Sequence, residues 1–183
     1  MRIPALTEVI ELAERTSQRR IRYNIEIKTT PDKPDDTAPP AVVADKLVAL
    51  VRSAGIAERV TIQSFDWRSL HRVGELAPKL PRSCLTSPET MEVGKPGRSP
   101  WTDGLDIDAF GGSVPKLVHA FGCTIWSPEA KYLMKAEIDE AHALEVAVVP
   151  WTVNEPAEMT RLIEWGVDGL ISDYPDRFPP RPR

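Results

Sequence analysis

The chain has 183 residues and a mass of 20.4 kDa, with 42% hydrophobic side chains, enough apolar material for one domain (residues 1–183) with a sizeable core, which excludes wholesale disorder. Its 23 basic and 27 acidic residues give a net charge of −4 with neither sign in a long block. That argues against a nucleic-acid surface and leaves an anionic substrate only where a local basic site is built.

Cys84 and Cys123 lack metal-motif spacing and are too few for a disulfide scaffold, so they read as two ordinary thiols. No run approaches the roughly 18 apolar residues of a membrane span. The opening Met-Arg-Ile-Pro-Ala-Leu has no charged segment, apolar core and cleavage site of a signal peptide. The expectation is a cytoplasmic chain without a transmembrane segment, as written.

In chain order, Leu6, Val9, Ile10 and Ala13 recur at helical spacing and predict a helix over Leu6 to Arg15. Arg22 to Lys28 reads as a strand, with Ile25 and Ile27 on one side and Asn24, Glu26 and Lys28 on the other. Thr29 to Pro40, with four prolines and three aspartates, is an excursion loop. A helix over Val42 to Ser53 follows, stopped by Gly55. The order then repeats: strand Arg59 to Phe65, helix Trp67 to Leu76, short strand Ser83 to Thr86, and a loop over Ser87 to Asp103. The second half predicts helix Val114 to Phe121, strand Cys123 to Trp126 and helix Lys131 to Leu144. It ends with strand Val146 to Thr152, helix Pro156 to Trp165 and strand Asp168 to Ser172.

Alternation of strand and helix indicates a parallel sheet covered on both faces, which accounts for the apolar run Val146-Ala147-Val148-Val149. Six strands fit an open doubly wound sheet or part of an eight-stranded barrel. Polar groups gathered at successive strand ends favour the barrel: Glu26 and Lys28, Gln63 to Asp66, Trp126 to Pro128, Trp151 to Asn154, and Ser172 to Pro175. A complete barrel takes about 250 residues, so the fold expected is an incomplete TIM (β/α)8 barrel with about six strands, lacking its first two strand-helix units.

The fragments Tyr23-Asn24-Ile25-Glu26-Ile27-Lys28, Gln63-Ser64-Phe65-Asp66, Trp151-Thr152-Val153-Asn154 and Gly166-Val167-Asp168-Gly169-Leu170-Ile171-Ser172-Asp173-Tyr174-Pro175 resemble, in order, strand-end motifs of the glycerophosphodiester phosphodiesterase family. Trp126-Ser127-Pro128 and Ile3-Pro4-Ala5-Leu6 are similar to that family too. The resemblance covers nearly the whole chain. Absent are the family's opening histidine-arginine-glycine motif, its glutamate and aspartate two apart, and its histidine-aspartate pair.

The resemblance implies metal-dependent hydrolysis of glycerophosphodiesters to glycerol 3-phosphate and an alcohol, by histidine acid-base chemistry. It implies that Glu26 is one carboxylate ligand of Ca2+ or Mg2+ and that Lys28 neutralises phosphate. It implies that Trp151 packs against the glycerol moiety, a role suited to a flat ring that excludes water. Phe65 is a candidate second apolar wall. Against these stand a generic polar pair at a barrel mouth and ordinary core packing.

One carboxylate serves a hard cation poorly, because such ions take six or more oxygen ligands. The short chain is therefore expected to bind metal weakly and to be inactive or nearly so by itself. The alternative function is non-catalytic binding of glycerol phosphate or a related anion. His71, His119 and His142 fall inside predicted helices and read as surface or packing residues. Asn154 reads as a loop organiser or helix cap, Asp168 and Asp173 as shapers of the last strand, and Ser64 with Asp66 as a strand-end hydrogen-bonding pair. Unpaired barrel edges imply self-association.

Overall fold

The computed structural model describes residues 2–17, 20–91 and 97–179. It is an α/β fold whose strand pairings are parallel, with seven α-helices and five regular strands among the described residues. The chain divides into two compact units, residues 1–82 and 83–183.

In the first unit, α1 (Leu6–Ser17) starts where the Glu8 carboxylate accepts the Ala5 amide at 2.7 Å. Of its apolar residues only Ile10 is buried, while Val9 and Leu12 stand exposed. β1 (Tyr23–Glu26) pairs with β2 (Val60–Ser64) in the register Tyr23 with Val60 through Glu26 with Gln63. Between them, α2 (Pro40–Ser53) has proline in its first turn, where the missing amide costs nothing. It buries Ala44, Leu47, Val48 and Val51, one stripe at helical spacing. That stripe packs on α3 (Trp67–Leu76), which buries Trp67, Leu70 and Val73, and an Arg72–Asp45 ion pair at 2.7 Å crosses the edge of the contact.

The second unit contains β3 (Arg82–Thr86), β4 (Ile125–Pro128) and β5 (Ala147–Val148), paired in that order. The 87–103 segment, expected as a loop, holds a single helical turn, α4 (Pro88–Met91); residues 92–96 of that expectation lie outside the described residues. Ser113 caps α5 (Val114–Phe121) by accepting the Lys116 amide at 3.2 Å, and Gly122 ends it at φ +87°, a conformation glycine adopts without a Cβ penalty. α6 (Lys135–Ala143) buries Ile138 and Ala141, and α7 (Pro156–Glu164) buries Met159 and Leu162.

Three expectations are corrected. The helix foreseen over Lys131 to Leu144 is a 3-10 turn, Ala130–Tyr132, followed by α6, with Glu137 closing the α6 N-terminus through the Met134 amide at 2.9 Å. The sixth strand is not regular. Its segment is hydrogen-bonded to the β5 region by Asp168 N to Val148 O, Ile171 N to Pro150 O and Val153 N to Ile171 O, but the spacing of these bonds interrupts a continuous ladder. Last, Cys84 and Cys123 are not two thiols: they form a disulfide with Cα atoms 6.0 Å apart, inside the usual range for such a bridge. It ties the middle of β3 to the residue after the α5 cap. With the cysteines 39 positions apart, nothing in their spacing signals the pairing.

Candidate active site

The polar end of the β1–β2 pair is built by hydrogen bonds that carry the ladder past its last regular residues. Ile27 N donates to Gln63 O at 2.9 Å, and the Ser64 hydroxyl donates to Ile27 O at 2.7 Å. The Thr29 hydroxyl then donates to Asp66 Oδ2 at 2.8 Å. Residues 27–29 are thereby held along the end of β2, and Glu26 and Lys28 meet: Lys28 Nζ lies 2.7 Å from Glu26 Oε1. The Lys28 side chain is 79% exposed and that of Glu26 23%. The two-residue spacing thus delivers an ammonium and a half-buried carboxylate to one place. Beside them Asn24 Nδ2 donates to Gln63 Oε1 at 2.8 Å.

Asp66 anchors the arrangement. Its carboxylate, 0% exposed, takes Thr29, Arg68 Nε at 2.8 Å, Arg68 Nη2 at 2.7 Å and the Arg68 amide at 3.3 Å, which also caps α3. The Ser64 hydroxyl accepts the Asp66 amide at 3.1 Å, the strand-end pairing read from the sequence. Phe65 is half-buried between them in sequence. Thr29, the first residue of the expected excursion loop, links the end of β1 to Asp66.

In the second unit, Trp151 is fixed to the end of β4. Its indole N–H donates to Ser127 O at 2.9 Å, its amide donates to Pro128 O at 2.9 Å, and its carbonyl accepts the Ala130 amide at 2.6 Å. The following peptide bond, Trp151–Thr152, is cis. Asn154 organises the loop: its Oδ1 accepts the Asp173 amide at 3.0 Å and the Ser172 hydroxyl at 3.1 Å, and its Nδ2 donates to Asp173 at 3.0 Å. The α7 cap position is Glu155, so the capping alternative for Asn154 falls away. Asp168 accepts the Val148 amide at 2.7 Å and pairs with His142 at 3.0 Å, a structural engagement for both. His71, His119 and His142 lie in α3, α5 and α6 as expected.

Set beside known proteins, the chain matches the glycerophosphoryl diester phosphodiesterase family over residues 1–177. The chain belongs to this family. A glycerophosphodiester phosphodiesterase of Caldanaerobacter subterraneus is 31% identical over 175 residues, covering 96% of this chain and 60% of the relative. One of Bacillus subtilis is 28% identical, covering 97% of this chain and 53% of the relative. The chain thus spans little more than half the length of these relatives. Among solved structures, a candidate glycerophosphoryl diester phosphodiesterase from Silicibacter pomeroyi superposes with a TM-score of 0.76 at 32% identity, over 95% of this chain and 54% of that one. An Oleispira antarctica phosphodiesterase, solved with its product sn-glycerol-3-phosphate, shares the fold at a TM-score of 0.69 and 18% identity, over 96% of this chain and 59% of that one.

The metal ion that the resemblance implies does not fit the side chains of the described residues. Among the described residues, no group of three or more histidine, cysteine, aspartate or glutamate side chains is arranged to hold an ion. Glu26 is a single carboxylate already engaged by Lys28, short of the oxygen-rich shell that calcium or magnesium takes. No helix among the described residues is long and apolar enough to cross a membrane.

Proposed function

We propose that this domain serves the hydrolysis of glycerophosphodiesters to glycerol 3-phosphate and an alcohol, and that its strands are consecutive staves of an eight-stranded barrel whose remaining units belong to a longer enzyme. The observation that carries this reading is the Glu26–Lys28 pair at the polar end of β1, in a chain that matches the family over residues 1–177. Lys28 offers an exposed ammonium to the phosphoryl oxygens, where positive charge counts most as negative charge builds in the transition state. Glu26 holds that ammonium in the resting protein. In the longer enzyme it adds one carboxylate to a Ca2+ or Mg2+ site whose other ligands lie outside this chain. Trp151, rigidly anchored through three hydrogen bonds, gives a flat wall for the glycerol carbons, and Phe65 a second apolar surface.

The proton transfers of the reaction need histidines, and the histidines here sit in helices rather than at strand ends. The 183-residue chain is therefore expected to turn over no diester alone. Anion binding without catalysis is the weaker reading, because among the described residues no metal-binding group stands ready to hold the anion beside Lys28. Exposed Ile3, Val9, Leu12 and Ile21 in the first unit support self-association of the short chain. The Cys84–Cys123 disulfide supports an oxidising compartment in place of the cytoplasm expected from the sequence, since thiols are kept reduced in most cytosols.

The test compares the short chain with the protein carrying its natural upstream segment in an assay for glycerol 3-phosphate with calcium, magnesium or chelator added. Turnover by the longer protein alone, abolished by chelator, is expected. Turnover by the pure short chain, or none by the longer one, defeats the proposal.

A further inference from the structure

We infer that Asp66 is a positioning residue: through the Thr29 hydroxyl it fixes the backbone that aims Lys28 at the phosphoryl group. The task given to Lys28 rests on the phosphodiesterase reading above; the clamp itself rests on the geometry of the first unit.

Lys28 lies beyond the last regular residue of β1, and its side chain is 79% exposed. Packing holds so open a side chain weakly, so its direction is set by the backbone beneath it. That backbone is pinned on both sides. Before Lys28, the buried Ile27 donates its amide to Gln63 O at 2.9 Å and accepts the Ser64 hydroxyl on its carbonyl at 2.7 Å. After Lys28, Thr29 is buried too, and its hydroxyl donates to Asp66 Oδ2 at 2.8 Å. The Ser64 hydroxyl in turn accepts the Asp66 amide at 3.1 Å, so both pins lead to Asp66.

Capping of α3 does not account for this carboxylate. A cap needs one oxygen for a first-turn amide, which a neutral serine or asparagine supplies as well. Here Oδ1 takes the Arg68 amide at 3.3 Å and Arg68 Nε at 2.8 Å, while Oδ2 takes Arg68 Nη2 at 2.7 Å together with Thr29. A carboxylate this deeply buried is costly to desolvate, and the Arg68 fork offsets its charge. The bond to Thr29 is needed for neither purpose. It ties the start of α3, a rigid element, to the residue that follows Lys28. Because Arg68 balances Asp66, the bond acts by holding geometry and not by drawing the ammonium toward a free negative charge. With it cut, Lys28 would stand at the root of the loop that runs on to α2. Misplacement of a catalytic group by about an ångström costs on the order of a hundredfold in rate.

Cutting the bond at Thr29 spares the Asp66–Arg68 pair. The test uses the longer enzyme as Thr29→Val, which keeps the side-chain shape without the hydroxyl, and as Thr29→Ser, which keeps the hydroxyl. With glycerophosphocholine as the probe, kcat is expected to fall roughly tenfold in Thr29→Val with KM unchanged, the pattern of an interaction made in the transition state, and to recover in Thr29→Ser. Added to Lys28→Ala, Thr29→Val should lower turnover no further, because it acts through Lys28; a purely structural role would lower both backgrounds alike. In the 183-residue chain, the NMR order parameter of the Lys28 amide should drop from about 0.85 toward about 0.6 in Thr29→Val while α3 keeps its values. Equal losses in both backgrounds or an unmoved order parameter at Lys28 overturns the inference. Turnover by the unsubstituted longer enzyme that a folded Thr29→Val variant matches defeats the positioning role alone. No turnover by the unsubstituted enzyme defeats the phosphodiesterase reading, and with it the aiming of Lys28 at a phosphoryl group.

Discussion

Opening the Cys84–Cys123 bridge should weaken the second unit severely. The cysteines are 39 positions apart, and the loop-closure relation for a cross-link of that span gives about 4 kcal/mol lost when the unfolded chain regains its freedom. That is a large share of the ~5–15 kcal/mol that holds a typical domain together. With an m-value of about 2 kcal/mol/M, the urea midpoint falls by roughly 2 M. Both sulfur positions are buried, so reduction is best done in denaturant, with reductant present through refolding. Trp101, Trp126, Trp151 and Trp165 lie in the second unit and only Trp67 in the first, so fluorescence follows the unit that contains the bridge. Cys84→Ala/Cys123→Ala should match the reduced protein and ignore reductant. An unchanged midpoint in protein shown to be reduced, or two titratable thiols in the unreduced protein under denaturant, would refute the reasoning.

Thr29→Val removes one donor from the buried Asp66 carboxylate and should cost about 1–3 kcal/mol in denaturant unfolding. Asp66→Ala strands the Arg68 guanidinium and the Thr29 hydroxyl together and should cost more, about 3–5 kcal/mol, or abolish folding. Because burial raises the Glu137 carboxyl above 4.5, the folded state holds its proton more tightly than the unfolded state, so this group's contribution to stability falls as pH rises from 4.5 through the raised value. Unfolding profiles of Glu137→Gln and the unsubstituted protein should accordingly diverge toward neutral pH in favour of the glutamine; parallel profiles would count against it. Lys28→Ala, at a side chain 79% exposed, should leave stability within about 0.5 kcal/mol while cutting diester turnover of the longer enzyme by roughly a hundredfold.

Much of the fold was legible because periodicity and punctuation agreed. Trp67–Leu76 and Val114–Phe121 are helices with the expected bounds, each with a side-chain cap at its start, Asp66 and Ser113. Where the sequence misled, tertiary structure had overridden local signal. Val146 to Thr152 is apolar enough for a long strand; the regular strand is only Ala147–Val148, but alternate amides carry the pairing with β4 onward, Val149 N to Trp126 O and Trp151 N to Pro128 O. In Lys131 to Leu144 the helical pattern runs through Leu133 and Met134, where extended backbone separates the turn from α6.

The candidate site was legible in part. Alternation along β1 placed Glu26 and Lys28 on one side, and the ion pair follows from it. Thr29 carried no signal, since a threonine after a strand looks like the start of any loop until Asp66 is brought against it from 37 residues away. The disulfide was hidden for the same reason: its partners are adjacent only once β3 and the end of α5 are packed.

In the proposed function the Glu26–Lys28 pair acts on a phosphodiester. Its most direct test is phosphorus NMR of glycerophosphocholine incubated with the longer enzyme, unsubstituted and as Glu26→Gln and Lys28→Met. Conversion of the diester signal to glycerol 3-phosphate is expected from the unsubstituted enzyme, with near-complete loss of that conversion in both variants and folding intact. Conversion at undiminished rate in either variant would contradict it.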